Sequence, residues 1–196
     1  VIHTEGSDWW TEYNYDESLS VVNFPIYPLN DKIGQSYKGV EQVLQNYPYV
    51  LFNKQMWYFT QSNIRDERNA IYASDRIQDK LDDLDFSNIM TLDHEKNHEY
   101  WIVSGNEAYI YNYNIDEFYH YTFAHEAVSI CYVDEELVFA TSTGQFYKMD
   151  DTTLLDDTTL VSAYAELGWY DYGYVNRFKV LNLMWVQIDP QTNDAV

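Results

Sequence analysis

Between Glu99 and Phe123 the chain reads EYWIVSGNEAYIYNYNIDEFYHYTF, three apolar and aromatic runs separated by turn formers. Gly105-Asn106 supplies the left-handed backbone of a tight turn, which predicts paired strands over Glu99–Ser104 and Glu107–Tyr113. Asn114-Ile115-Asp116 turns the chain again into a third strand, Glu117–Phe123. Trp, Tyr, Ile, Val and Phe fill these runs because branched and aromatic side chains pack well on a pleated surface.

The layout recurs. Gln55–Thr60, Glu99–Ser104 and Glu136–Thr141 each open on an amide or acid, continue with four mainly apolar residues and close on Ser or Thr. Met56, Tyr100 and Leu137 are thereby spaced 44 and 37 residues apart, and the apolar-Tyr pairs that follow, ending at Tyr72, Tyr111 and Tyr147, 39 and 36. A further run precedes each: Tyr49–Phe52, Asn88–Leu92 and Ala127–Val133. Short antiparallel strands repeating every ~40 residues are the pattern of β-propeller blades. The predicted fold is therefore all-β, with propeller-like blades over residues 31–159. In this alignment Trp57, Trp101 and Phe139 take equivalent core positions, as do Tyr72, Tyr111 and Tyr147.

Outside the repeat, residues 1–30 are aromatic and turn-rich, and Pro25 and Pro28 suit an edge strand or an extended arm. Asp31–Asn46 reads as a loop entering the first repeat. Ser74–Asp85 is the one predicted helix: Ser74 or Asp75 can cap it, and Ile77, Leu81 and Leu84 recur at helical spacing. It falls where the first repeat should have its outermost strand, and there it would cover a sheet edge. Residues 160–196 alternate apolar and polar positions around Asp171–Gly173. They predict a hairpin of two long strands, as part of a fourth blade or the start of a further β domain.

Composition narrows the function classes. The net charge of −21 opposes binding to phosphate backbones and to anionic membranes. No apolar run approaches the ~20 residues that span a bilayer. The single Cys131 lies in the run AVSICYV, where a buried small hydrophobe is expected, and it allows no disulfide within the chain. The chain opens on Val1 rather than Met, with no visible signal peptide, and is expected to be a piece of something longer.

Candidate chemistry is sparse. His94-Glu95-Lys96-Asn97-His98 matches H-E-x-x-H, in which two His one helical turn apart hold zinc and Glu activates water. Glu117 follows His98 by 19 residues, near the spacing of a third ligand in some metalloproteases. The motif needs a helix, yet strand-like NIMTL and EYWIV flank it, so a charged hairpin turn without a metal is expected at His94, Glu95 and His98. Four aspartates in Asp150–Thr159 read as an acidic solvated linker, since no EF-hand glycine accompanies them. There is no nucleophile elbow, phosphate loop or dinucleotide fingerprint. No catalytic residue and no cofactor is expected.

Two contact sites are predicted. Arg65, Asp66, Glu67 and Arg68 sit in a segment more polar than its counterparts, read either as a solvated loop or as one meeting a partner. Trp9 and Trp10 could stack on a sugar or anchor the N-terminal arm.

The segment from Asp31 through Ile77, with EYWIVSGNEAYIYNYNIDEFYHYTF and AYAELGWYDYGYVNRFKVLNLMWVQI, resembles propeller-bearing structural proteins of tailed-bacteriophage necks and tails. These are the stabilisation, nozzle or muzzle proteins of short-tailed and crAss-like phages. Arg65–Ala70 (RDERNA) and Gly168–Gly173 (GWYDYG) carry most of the likeness, which spans roughly residues 31–188. The resemblance implies a non-enzymatic virion protein made in the bacterial host cytoplasm. It also implies a homo-oligomeric ring, other phage structural proteins as partners, and packaged DNA nearby without sequence-specific binding. A negative wall would let DNA slide past. A carbohydrate-binding β module is the main alternative, and a hydrolase a third.

Overall fold

A computed structural model describes residues 2–3, 7–30, 32–34, 37, 39–60, 70–149, 155–156, 159–160 and 164. The chain divides into two compact units, Val1–Val161 and Ser162–Val196. The predicted C-terminal hairpin and the Arg65–Arg68 segment lie outside the described residues.

The first unit is mostly β, built of several small antiparallel sheets with one short helix. Five strands open it: β1 (Ile2–His3), β2 (Asp8–Thr11), β3 (Asn14–Asp16), β4 (Val21–Asn23) and β5 (Ile26–Asn30). They form a sheet in the order β1-β2-β5 and a hairpin β3-β4. Three meanders follow. The second sheet is β6 (Gln42–Leu44), β7 (Tyr47–Phe52), β8 (Gln55–Phe59) and β9 (Ala70–Tyr72). The third is β10 (Met90–His94), β11 (Glu99–Ser104), β12 (Glu107–Asn112) and β13 (Glu117–Thr122). The fourth is β14 (Ala127–Val133), β15 (Glu136–Thr141) and β16 (Phe146–Lys148), after which β17 (Leu155–Asp156) pairs with β18 (Thr159–Leu160). Neighbours in sequence pair in space, and two-residue turns join β6 to β7, β7 to β8, β11 to β12 and β14 to β15. Gln45-Asn46, Asn53-Lys54 and Asp134-Glu135 hold both residues at positive φ, the mirror-image turn whose twist matches the strands.

The third sheet lies between two cores, and its alternation sorts the side chains. Tyr100, Ile102, Tyr109 and Tyr111 face a cluster shared with Tyr49, Leu51 and Met56 of the second sheet. Trp101, Val103, Ala108 and Ile110 face the opposite way, into a cluster with Leu137 and Phe139 of the fourth. Both faces are covered, so β11 and β12 read as continuous apolar runs. The first strands also gather: β10 lies close to both β6 and β14.

Several expectations are corrected. Gln42–Leu44 is a strand rather than loop, which shifts the count in the second sheet by one. Gln55–Phe59 is its third strand, whereas Glu99–Ser104 and Glu136–Thr141 are second strands, so β7 and not β8 corresponds to β11 and β15. The helix replaces no strand: β9 is present, and a 3-10 turn at Asp75–Ile77 leads into α1 (Gln78–Asp83) on the way to β10. Ser74 makes no side-chain cap. Its buried hydroxyl accepts Met56 N–H at 2.9 Å and donates to Gln78 Oε1 at 3.1 Å, tying the helix start to β8. Leu81, Leu84 and Phe86 then enter the first core. Cys131 is exposed, because its side of β14 points away from the second core.

Candidate functional site

The HEKNH segment closes the β10–β11 hairpin. His94 ends β10, Glu95–Asn97 form a 3-10 turn, and His98 takes the left-handed conformation at φ 58°. Buried His94 places Nδ1 3.3 Å from Glu99 Oε2, which also accepts Trp101 Nε1–H at 3.1 Å. Its ring lies 5.2 Å from Tyr132, while His98 meets Tyr113 edge-on at 5.6 Å. The imidazoles thus serve two different aromatic contacts instead of sharing a helix face. Among the described residues, no group of three or more His, Cys, Asp or Glu is arranged to hold a metal ion.

Around this turn the titratable groups are tuned for packing. Tyr113 O–H donates to Asp93 Oδ1 at 3.2 Å; burial first, and the nearby carboxylate second, push its phenol up to about 12. Burial likewise raises Asp93 above the usual carboxylate range. Tyr111 donates to Asp116 Oδ1 at 3.0 Å and is pushed up to about 12, chiefly by burial. Tyr49 and Tyr100 are raised by burial as well. These phenols stay protonated and act as hydrogen-bond donors inside a scaffold.

The predicted core residues separate by position. Trp101 and Phe139 are buried in the second core, with the Phe123 ring 6.4 Å from the first and 4.7 Å from the second. Trp57 is half-buried, because β8 is a third strand and its ring packs at 5.2 Å on Tyr72, away from the first core. Its buried Nε1–H has no hydrogen-bond partner among the described residues. Tyr111 belongs to the first core, whereas half-buried Tyr147 packs against the second and stacks on Phe139 at 5.3 Å. The three tyrosines are therefore not equivalent.

Trp9 and Trp10 form no joint platform, since consecutive strand residues point to opposite faces. Trp9 is half-buried and donates to Ser7 Oγ at 2.9 Å. Trp10 instead stacks on Tyr27 across β2 and β5, centroids 4.7 Å apart and planes 28° apart, with both rings exposed. Beside α1, a cleft of about 630 Å³ is lined by Lys80, Asp83, Asp85, Glu107, Tyr109 and Glu126 among others. Among the described residues, four carboxylates, Asp83, Asp85, Glu107 and Glu126, face it against the single ammonium of Lys80.

Sequence reasoning missed the β2–β5 ribbon. Its signal was the alternation Tyr13, Tyr15 and Val22, Phe24, visible once the two stretches are set opposite each other. No protein-family model matches this chain, and no curated protein matches it. Among the described residues, no helix is long and apolar enough to cross a membrane.

Proposed function

We propose that this chain is a non-enzymatic structural component of a tailed-phage virion, in the portal-proximal neck or tail, whose meander sheets are propeller blades in a ring assembly. The gathering of β6, β10 and β14, the first strands of three successive sheets, is the observation that carries the reading. Blades set around an axis bring their first strands together in this way, and successive blades share cores as these sheets do. Among the described residues nothing covers the far face of the fourth sheet, where Val133 and Phe146 are exposed beside Cys131. A further blade, from more chain or from an adjacent subunit, would bury them. The phage assignment itself rests on the resemblance in residues 31–188, and the acidity suits a wall past which packaged DNA slides. Gold-labelled antibodies against the chain should decorate the neck or tail of virions from the same source. Decoration of no particle, or of the capsid alone, would overturn the assignment.

A second reading is carbohydrate binding, which the exposed Trp10–Tyr27 stack favours over the Trp9–Trp10 pair. Specific retention on a glycan array, lost in Trp10→Ala, would establish it.

A further inference from the structure

The N-terminal strands form one ribbon with two unlike faces. Thr11 faces Ile26, Asn14 faces Asn23 and Asp16 faces Val21, so the β2–β5 and β3–β4 ladders keep a single register on either side of Pro25. Side chains alternate along such a ribbon. Tyr13, Tyr15, Val22, Phe24 and Ile26 therefore share one face, which is apolar almost throughout, and the Tyr13 and Phe24 rings meet edge-on at 5.9 Å. The other face is mixed. It sets Trp10 opposite Tyr27 and Asn14 opposite Asn23, and the same register puts Glu12 between them, opposite Pro25.

On this mixed face, aromatic and polar groups are open side by side. Trp10 and Tyr27 stack at 4.7 Å with planes 28° apart, yet remain 36% and 38% exposed. Each ring is held by the other, so a ligand laid on them has little left to order. Glu12, Asn14 and Asn23 are exposed, and among the described residues no hydrogen bond or ion pair engages their side chains. Asp16 differs: its Oδ1 accepts Ser18 N–H at 2.9 Å and Leu19 N–H at 3.3 Å in the turn that ends the ribbon. At the rise of an extended strand, the strip from Trp10 to Asn14 runs about 13 Å, longer than one sugar ring.

We infer that this face binds an uncharged polysaccharide chain. The Trp10–Tyr27 stack takes the C–H surface of one sugar ring, and Glu12, Asn14 and Asn23 take the hydroxyls of the next. The inference rests on the carbohydrate reading and adds to it the polar half of the site and the charge of the ligand. A sugar offers both surfaces at once, C–H groups that pack on an aromatic ring and hydroxyls that donate and accept. The Glu12 carboxylate only accepts, whereas the two amides do both, so hydroxyls satisfy all three. An apolar protein surface laid on the same strip would bury these groups without partners, which opposes that occupant. Anionic glycans and nucleic acids meet Glu12 beside the stack and the net charge of −21, which opposes them too.

The test probes a microarray with the full chain. The array carries glucan, mannan, galactan and chitin oligomers of increasing length, with hyaluronan and polysialic acid as the anionic arm. Retention is expected on an uncharged oligomer, stronger for long oligomers than for the single sugar, and not on the anionic chains. Asn14→Ala with Asn23→Ala leaves the stack in place and should weaken that retention roughly tenfold, through the hydrogen bonds lost. Trp10→Ala should abolish it. Val22→Ser, on the opposite face, should leave it unchanged, and circular dichroism should show all the variants folded. Retention lost in Trp10→Ala but indifferent to the Asn14 and Asn23 changes would overturn the inference while the carbohydrate reading stands. So would a preference for hyaluronan or polysialic acid, or an equal loss in Val22→Ser. Retention on no glycan would overturn both.

Discussion

The Tyr100 hydroxyl donates to the carbonyl of Val40 at 3.0 Å, and both residues are completely buried. The bond ties β11 of the third sheet to the segment that enters the second, across sixty residues of chain. Tyr100→Phe keeps the ring but leaves that carbonyl without its donor. A buried orphan of this kind costs about 1–3 kcal/mol, which urea denaturation should show as a lower midpoint with an unchanged slope.

Trp101→Ala should cost about 3–5 kcal/mol, the range for a large aromatic deleted from a core. Trp57 supplies the contrast. Its Nε1–H is buried without a partner among the described residues, so Trp57→Phe should be nearly neutral or stabilising. Thermal melts of the two variants decide it: equal destabilisation would mean that the two tryptophans occupy equivalent sites after all.

Alkaline pH should unfold the protein cooperatively. Tyr111 and Tyr113 hold their protons to about 12 in the folded chain, against 10.0 for an ordinary phenol, and Tyr49 and Tyr100 are raised too. The unfolded chain ionises first. The stability these groups contribute is therefore complete below pH 10.0 and is lost as pH rises through about 12. Tyrosinate absorbance and far-ultraviolet circular dichroism should change together above that point. Full ionisation with the fold intact would contradict the burial of these rings.

Arg76 joins the start of the helical segment to Asp116 and Glu117 at the β12–β13 turn, but all three side chains are at least half exposed. Arg76→Ala should cost less than about 1 kcal/mol, and the small effect should vanish in high salt. A larger, salt-independent loss would show that this clamp holds α1 in place.

Much of the third sheet is legible in the chain. The Gly105-Asn106 turn and the apolar runs on either side of it define β11 and β12, but not the two cores, because a continuous apolar run has no alternation to separate Tyr100 and Ile102 from Trp101 and Val103. The second sheet misleads because QMWYFT and EYWIVS share composition and not position: any strand of a meander draws on the same aromatic and branched residues. Only the pairing of β6 with β7 restores the count. Three left-handed turns lack the glycine that announces them, as at Asn53-Lys54 and Asp134-Glu135. The ribbon escaped for a related reason. Its strands are three to five residues long and interrupted by Pro25 and Pro28, so the apolar face emerges only when the turn at Glu17–Ser20 sets Tyr15 opposite Val22.

Light scattering on the purified full chain tests the ring proposal most directly. The fourth sheet's uncovered face predicts association, with a mass that is a fixed multiple of 23.3 kDa and ring-shaped particles by negative-stain microscopy. A single species at 23.3 kDa with one sharp melting transition would contradict it.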